Sequence, residues 1–111
     1  MTFKAIILLR RRDDMTREQF RSWWMDDHAQ LAARLPGVRR IVFNLCEPDD
    51  SVVDDRAEVD AVDGVSELWF DSETDFLAAY ATDVGRSVAA DSMAHLQSRT
   101  RLFVTEREIV G

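Results

Sequence analysis

The stretch FKAIILLR, residues 3–10, decides how this chain folds. Its run from Ile6 to Leu9 leaves no polar side, so a strand formed here must be covered on both faces. The apolar stretch Phe3–Leu9 contains Lys4, is far too short to cross a bilayer and follows no charged segment, so the sequence indicates neither a membrane span nor a signal peptide. We therefore predict a strand that is covered on both faces, in a soluble domain.

A helix signal follows this strand. Thr16-Arg17-Glu18-Gln19 fits a capping box, and Pro36-Gly37 ends the apolar repeat at about Leu35. At about 100° per residue, Trp23 and His28 fall on opposite edges of an apolar stripe. The stripe itself consists of Phe20, Trp24, Leu31 and Leu35.

The rest of the chain supplies three further strands and a second helical region. A second capping box, Ser72-Glu73-Thr74-Asp75, opens a helix that we expect Gly85 to break, and a helical piece over 87–96 follows. The predicted strands are VRRIVFNLC (38–46), VSELWFD (65–71) and RLFVTEREIV (101–110).

The resulting order is β-α-β-β-α-β, which predicts an α+β, ferredoxin-like fold for residues 1–111 as a single domain. In this plan a four-stranded antiparallel sheet carries its helices on one face. The strands nevertheless place apolar residues on both faces, so we expect the second face to be covered by the same face of another copy, in a homodimer.

The charge is concentrated in one segment. The net charge is −7, and the stretch from Glu47 to Asp63, with eight acidic residues against Arg56 alone, accounts for all of it. No basic face of the kind that nucleic acid needs can be recognised. The stretch 47–63 is expected to be a mobile loop. The single cysteine, Cys46, cannot form an intrachain disulfide, which is typical of a cytoplasmic protein.

His28 is the leading candidate for chemistry. An imidazole at the margin of an apolar stripe can shuttle a proton near neutral pH or polarise a carbonyl. The alternative is a structural histidine at the boundary between helix and sheet. Trp23 and Trp24 could wall an apolar pocket or belong to the core, and Trp69 and Phe70 carry the same two interpretations.

Glu67 is the second candidate. It shares a strand face with Trp69, and an apolar setting would raise its carboxyl pKa and suit it to acid or base catalysis. The alternative is an ion pair across the sheet with Arg39 or Arg40. His95 is expected to be a solvated surface residue.

A metal site is not expected. Adjacent helical residues point in different directions, so Asp26-Asp27-His28 cannot easily converge on one ion. We predict neither a metal nor another cofactor.

Several motifs resemble the EthD family. Phe20, Trp24 and His28 form an F-x-x-x-W-x-x-x-H helix motif, and residues 63–72 (DGVSELWFDS) resemble that family's DG-x-x-E-x-W-F-D-S strand. Asn44, Asp91 and Glu106 also match common positions. The resemblance covers nearly the whole chain and implies a dimeric α+β barrel, in which two ferredoxin-like sheets pack face to face.

The resemblance also implies work on small molecules. Relatives of this kind include helpers of ether degradation, a muconolactone isomerase and polyketide or pigment cyclases, and His28 matches the residue most plausibly catalytic in them. Family members often carry Tyr on the second strand where this chain has Ile41, and the charge of segment 47–63 is unusual.

These observations lead to a functional hypothesis with two alternatives. The first is a cofactor-independent isomerase, cyclase or lyase acting on a lactone, quinone or polyketide-like substrate, with catalytic His28. We expect a small, largely apolar, oxygen-bearing ligand to lie between sheet and helices, bound by Trp24, Phe43, Asn44, Glu67 and Trp69. The alternatives are a non-catalytic ligand-binding protein of an ether or aromatic degradation pathway and a cofactor-free or haem-linked monooxygenase.

Overall fold

The computed structural model describes residues 2–47 and 62–111. The strands are β1 (Phe3–Arg11), β2 (Arg40–Leu45), β3 (Gly64–Phe70) and β4 (Leu96–Val104). The helices are α1 (Arg17–Ser22) and α2 (Ala29–Ala32), with a π-helical segment (Trp23–His28) between them, then α3 (Glu73–Tyr80) and α4 (Asp83–His95). Within these ranges no helix is long and apolar enough to cross a bilayer.

The four strands form one antiparallel sheet in the order β2-β3-β1-β4. The apolar strand β1 lies inside it, where Ile6 faces Glu67 of β3 on one side and Leu102 of β4 on the other. Element order and sheet order confirm the predicted ferredoxin-like plan.

The core lies between the sheet and the helices. Ala5, Ile7 and Leu9, alternate residues of β1, are buried on this face. The largest side chains that are completely buried are Trp24, Phe20, Phe70 and Phe76. Burial of each such side chain contributes about 2–3 kcal/mol, so this face of the sheet supplies most of the stability of the monomer.

The first helical region begins as predicted and then departs from a regular α-helix. Gln19 N donates to Thr16 Oγ1 at 3.1 Å, and Thr16 N donates to Gln19 Oε1 at 2.8 Å, which completes the capping box. The helix becomes π-helical at Trp23 and ends at Ala32, three residues before the predicted end. Gly37 then adopts a φ of 79°, a conformation that glycine allows at little cost.

The break between α3 and α4 falls earlier than expected. Gly85 does not end the helix but lies in the first turn of α4, where its backbone N donates to the Thr82 hydroxyl. Thr82 is therefore the N-cap, and its side chain decides where α4 begins. Gly85 is needed because a Cβ there would lie 2.2 Å from the Ala79 carbonyl oxygen.

The last strand is shifted relative to its predicted position. It begins at Leu96, directly after α4, and ends at Val104, which pairs with Lys4 near the start of β1. Residues 105–110 were expected to extend the strand, but β1 offers them no further partner. The side chain of Glu106 instead contacts Lys4 at 2.8 Å.

The acidic stretch is described only at its ends. The expected mobile loop lies mostly at residues 48–61, outside the described ranges. Asp63 is buried, and its carboxylate accepts from the Arg11 guanidinium at 2.6 Å and from the Arg11 backbone N at 2.9 Å. The end of the acidic stretch is thus fixed to β1 by a charge-assisted pair.

Candidate functional site

His28 lies at the end of the π-helical segment and faces α4. Only 6% of it is exposed. Its Nδ1 lies 2.8 Å from Asp91 Oδ2, and its Nε2 lies 3.4 Å from the hydroxyl oxygen of Ser92. Because a carboxylate only accepts hydrogen bonds, Asp91 selects the tautomer in which Nδ1 carries the proton. Nε2 then carries a lone pair, which can accept a hydrogen bond from the Ser92 hydroxyl or act as a base.

Asp91 connects His28 to two further rings. Trp23 Nε1 donates to the same oxygen, Oδ2, at 3.0 Å. His95, one turn further along α4, has its Nδ1 2.8 Å from the Asp91 carbonyl oxygen and its ring stacked on Trp23 at 4.3 Å. His95 is therefore half-buried and held in place, and the expectation of a solvated surface histidine is wrong.

The π-helical segment explains why Trp23 and His28 meet. A regular helix places them on opposite edges of the apolar stripe. A π-helix closes i→i+5 hydrogen bonds, so residues five apart lie roughly one turn above one another. Trp23 and His28 are five apart, and their ring centroids are 4.8 Å apart. Both rings therefore reach Asp91.

A small cavity lies beside His28, between the helices and the sheet. Its volume is about 20 Å³, which is room for about one water-sized group. Trp24 and Phe43, both predicted to line the site, do so and stack with their centroids 4.4 Å apart. The polar side chains that line it are His28, Ser66, Tyr80, Ser92 and Arg99.

Burial shifts the pKa of two groups in this cavity. It lowers the pKa of His28, an effect that the Asp91 carboxylate opposes without reversing it. Burial also raises the pKa of the Tyr80 hydroxyl, although Arg99 and Arg101 favour its ionised form. At neutral pH the site therefore presents a neutral imidazole base and an uncharged phenol.

Trp24 carries a polar group that has no protein partner. Its side chain is completely buried, and no acceptor among the described residues accepts a hydrogen bond from its Nε1. Leaving such a donor unsatisfied costs about 1–3 kcal/mol. Trp24 is also one of the residues that line the small cavity beside His28.

Three of the predicted ligand-binding residues lie elsewhere. Asn44, Glu67 and Trp69 are on the face of the sheet that carries no helices, so the expectation that they share a cleft with His28 is wrong. The reason is the two-residue repeat of a strand: Phe43 and Ser66 face each other on the cavity side, and the residue that follows each of them points to the opposite side.

These three residues belong to a polar cluster centred on Lys4. The Lys4 ammonium lies 2.9 Å from Glu67 and 2.8 Å from Glu106, and 4.4 Å from the centre of the Trp69 ring. Asn44 Nδ2 donates to Glu67 at 3.0 Å, and Trp69 Nε1 donates to Glu106 at 3.1 Å. The ion pair of Glu67 is therefore with Lys4 and not with Arg39 or Arg40.

The pKa of Glu67 moves opposite to the direction that an apolar setting would give. The hydrogen bonds from Asn44 and Lys4 stabilise the carboxylate and lower its pKa. Burial alone would lower the pKa of Lys4, but Glu106 and Glu67 together raise it. This cluster therefore keeps its charges near neutral pH and is poorly suited to proton transfer.

No metal-binding group is found among the described residues, where three His, Cys, Asp or Glu side chains nowhere converge. Asp26 and Asp27 are exposed while His28 is buried, so the three neighbours point apart, as their helical positions require.

The sequence interpretation missed Asp91, Ser92, Tyr80 and Arg99 as neighbours of His28. Asp91 had been noted only as a matched family position. A signal was present in α4, where the buried residues Val88 and Ser92 are four apart, so a serine hydroxyl faces the core. Arg99 gave no signal, since only the register of β4 directs it to the cavity side.

The fold and the site define a class: ferredoxin-like α+β domains with a histidine–aspartate pair between sheet and helices. The profile of the EthD domain matches residues 12–98, and the chain belongs to the EthD family. This confirms the resemblance drawn from the sequence motifs. No curated protein sequence matches the chain.

Solved structures with the same fold include three informative relatives. An EthD family protein from Bacillus halodurans C-125 superposes with a TM-score of 0.77 at 20% identity, covering 96% of this chain and 100% of that one. A dimeric ferredoxin-like protein from Thermobifida fusca superposes with a TM-score of 0.69 at 20% identity, covering 96% of this chain and 92% of that one. A hydroxynitrile lyase from Passiflora edulis superposes with a TM-score of 0.73 at 15% identity, covering 99% of this chain and 97% of that one. At these identities the likeness shows the fold.

Proposed function

We propose that this protein is a cofactor-independent small-molecule enzyme, an isomerase, cyclase or lyase, in which His28 is the general base. The observation that carries the proposal is the pairing of His28 Nδ1 with Asp91 at 2.8 Å, which leaves Nε2 unprotonated on the cavity side. A histidine held by a carboxylate in this way is the arrangement that proton-transferring enzymes use.

The chemistry would begin with removal of a proton by His28 Nε2 from a carbon next to a carbonyl, or from a hydroxyl. Negative charge then develops on the substrate oxygen, where the Trp24 N–H can stabilise it. Asp91 stabilises the imidazolium that forms. Return of the proton to another atom completes an isomerisation; in a lyase reaction a leaving group departs and takes the proton back from the imidazolium.

The substrate class follows from the cavity lining. Trp24, Phe43, Ile7 and Leu68 provide apolar walls, and the unsatisfied Trp24 N–H favours an oxygen-bearing ligand. Lactones, quinones and polyketide-like molecules combine an apolar body with carbonyl oxygens. That a hydroxynitrile lyase has the same fold supports a lyase as one of the reactions this scaffold can host.

Solvent-deuterium exchange tests the proposal. The protein is incubated in D₂O with α-angelica lactone, whose carbon acid lies next to a carbonyl, and loss of the proton signal is followed by NMR; cleavage of mandelonitrile is followed in parallel. Replacement of His28 by Gln is expected to lower the rate about 100-fold or more. Asp91→Asn is expected to lower the rate about tenfold, because the carboxylate that selects the His28 tautomer is lost.

His95→Gln is the matched control, because this histidine also contacts Asp91 but does not line the cavity. It should keep most of the activity. A rate that is unchanged in His28→Gln removes His28 from catalysis. Binding of these compounds without any exchange or cleavage would favour the alternative of a non-catalytic ligand-binding protein.

We also propose that the protein is a homodimer that packs through the sheet face without helices. Four half-buried aliphatic residues and Leu102, which is 45% exposed, occupy this face; the four are Ile6, Leu8, Val42 and Val65. A contiguous apolar face of this kind is normally covered. The Thermobifida fusca relative of the same fold is dimeric, which supports this arrangement.

Light scattering coupled to gel filtration tests the dimer. We expect twice the chain mass of 12.8 kDa for the unmodified protein and a monomer for Val65→Asp. Leu77→Asp is the control, because Leu77 is 52% exposed on α3, on the helical side of the sheet. A monomer mass for the unmodified protein at micromolar concentration contradicts the proposal.

A further inference from the structure

A larger groove adjoins the His28 cavity. It lies between helices α3 and α4 and strands β1 and β4 and has a volume of about 410 Å³. Ala89, Ala90 and Met93 of α4 give it an apolar surface, and Met93 is 75% exposed at its rim. Three arginines also line it: Arg86, Arg99 and Arg101. A concentration of positive charge around an apolar surface needs a physical explanation.

Within the residues that the structure describes, one of these three arginines is paired with a carboxylate and two are not. Arg86 is paired with Asp83. Within the described parts of the chain, Arg99 and Arg101 have no carboxylate partner, although acidic residues outnumber basic ones by seven in the chain as a whole. They are two apart on β4, so both point to the side of the sheet that carries the groove.

Arg101 is held in a defined position without losing its donors. Its guanidinium lies 5.2 Å from the centre of the Phe76 ring and 5.1 Å from that of Phe103. A contact with aromatic rings uses none of the hydrogen bonds that a guanidinium can donate, so its N–H groups remain available. This is the presentation that planar oxyanions accept in bidentate fashion.

The groove and the His28 cavity share a boundary. Ile7, Tyr80 and Arg99 line both. The cavity, at about 20 Å³, holds one small group, whereas the groove has the size of a typical small-molecule site. A molecule acted on by His28 would therefore place its reacting end in the cavity and most of its body in the groove.

We infer that the groove binds the carboxylate of an otherwise apolar substrate, with Arg99 and Arg101 as its anion-binding residues. The inference rests on the proposed function, since it places the other end of that substrate at His28. The carboxylate pairs with the two guanidinium groups, and the apolar body covers Ala89, Ala90 and Met93. The substrate class is thereby narrowed to carbonyl compounds that also carry a carboxylate.

The test is a binding measurement that does not depend on turnover. The ¹⁵N-labelled protein is titrated with 2-naphthoate and, separately, with its neutral isostere 2-naphthamide, and amide and arginine Nε–H shifts are followed. We expect naphthoate to perturb residues of α4 and β4 around the groove and to bind at least about tenfold more tightly than naphthamide, as a charge-assisted pair requires.

Variants assign the effect to the arginines. Arg99→Gln and Arg101→Gln are each expected to weaken naphthoate binding about tenfold and to leave naphthamide binding unchanged. Arg39→Gln is the matched control: it removes the same charge from an exposed site next to β2, at the opposite edge of the sheet. Equal binding of acid and amide, or equal weakening by Arg39→Gln, overturns the inference.

The two proposals can fail separately. His28→Gln is expected to keep naphthoate binding, because His28 does not line the groove. If naphthoate binds selectively but the lactone shows no proton exchange, the proposed catalysis is contradicted and the proposed anion site is supported. Turnover of neutral carbonyl compounds that is insensitive to Arg99→Gln and Arg101→Gln contradicts the anion site and leaves catalysis standing.

Discussion

Replacing Gly85 by Ala sets two physical effects against each other. In the interior of a helix, alanine is favoured over glycine by about 1 kcal/mol. At this position, however, the new Cβ would lie 2.2 Å from the Ala79 carbonyl oxygen and 2.4 Å from Tyr80 Cα. Both atoms belong to the backbone, so no side-chain rotation can relieve the contact. The turn between α3 and α4 would have to open.

Opening the turn has a cost that can be built from its contacts. Gly85 N donates to the Thr82 hydroxyl at 3.1 Å, and that hydroxyl donates to the Ala79 carbonyl at 2.6 Å. Loss of an N-cap costs about 1 kcal/mol, and overpacking costs about 1–3 kcal/mol. After the gain in helix propensity, we expect Gly85→Ala to lower the free energy of unfolding by about 2 kcal/mol.

Urea denaturation followed by tryptophan fluorescence measures the difference, at one fixed protein concentration because the proposed dimerisation would also contribute to stability. Ser87→Ala is the control: Ser87 is exposed on the same helix, and alanine there should be neutral or slightly stabilising. If Gly85→Ala is as stable as the unmodified protein, the close approach of the α3–α4 turn does not constrain the fold as argued.

Two further predictions concern the site. Because burial lowers the pKa of His28 in the folded state below its ordinary value of 6.5, the unfolded chain takes up the proton first as the pH falls. The free energy of unfolding should therefore decrease below about pH 6.5, by up to about 1.4 kcal/mol per pH unit. His28→Gln should flatten this slope, whereas His95→Gln should keep it. A slope that is unchanged in His28→Gln refutes the assignment to His28. Gly64→Ala places a Cβ 2.6 Å from the buried Trp24 ring. We expect the free energy of unfolding, measured by urea denaturation, to fall by about 1–3 kcal/mol, and the NMR resonance of the His28 ring to shift. Val65→Ala, one residue on and facing the other side of the sheet, should leave that resonance in place.

Much of the fold could be predicted from local signals. The apolar run from Ile6 to Leu9 predicted the strand β1, and the Thr16 capping box gave the start of α1 correctly, since both depend on neighbours in sequence. The errors lay where a tertiary contact decides. Gly85 looked like a helix breaker, yet the Thr82 cap and the close approach to Ala79 place it inside α4. The register of β4 depends on β1, about 95 residues away in sequence.

The residues of the candidate site could also be predicted from the sequence only in part. His28, Trp24 and Phe43 were predicted and do lie together, because helix and strand periodicity places each of them towards the core. Glu67 and Trp69 were assigned to the same cleft although strand alternation directs them to the other face. Asp91 could not be paired with His28 from the sequence, because the two are 63 residues apart and meet only when α4 packs against the π-helical segment.

The π-helical segment makes the site sensitive to chain length as well as to residue identity. A π-turn accommodates an additional residue in a helix that otherwise repeats every 3.6 residues. Met25, Asp26 and Asp27 form its exposed side, so their side chains can be exchanged without disturbing the core. Deleting any one of them, in contrast, would restore a regular helix and rotate the Trp23 side of the helix by about 100° relative to His28. Substitutions there should be tolerated in the family's evolution, whereas single-residue gaps should not.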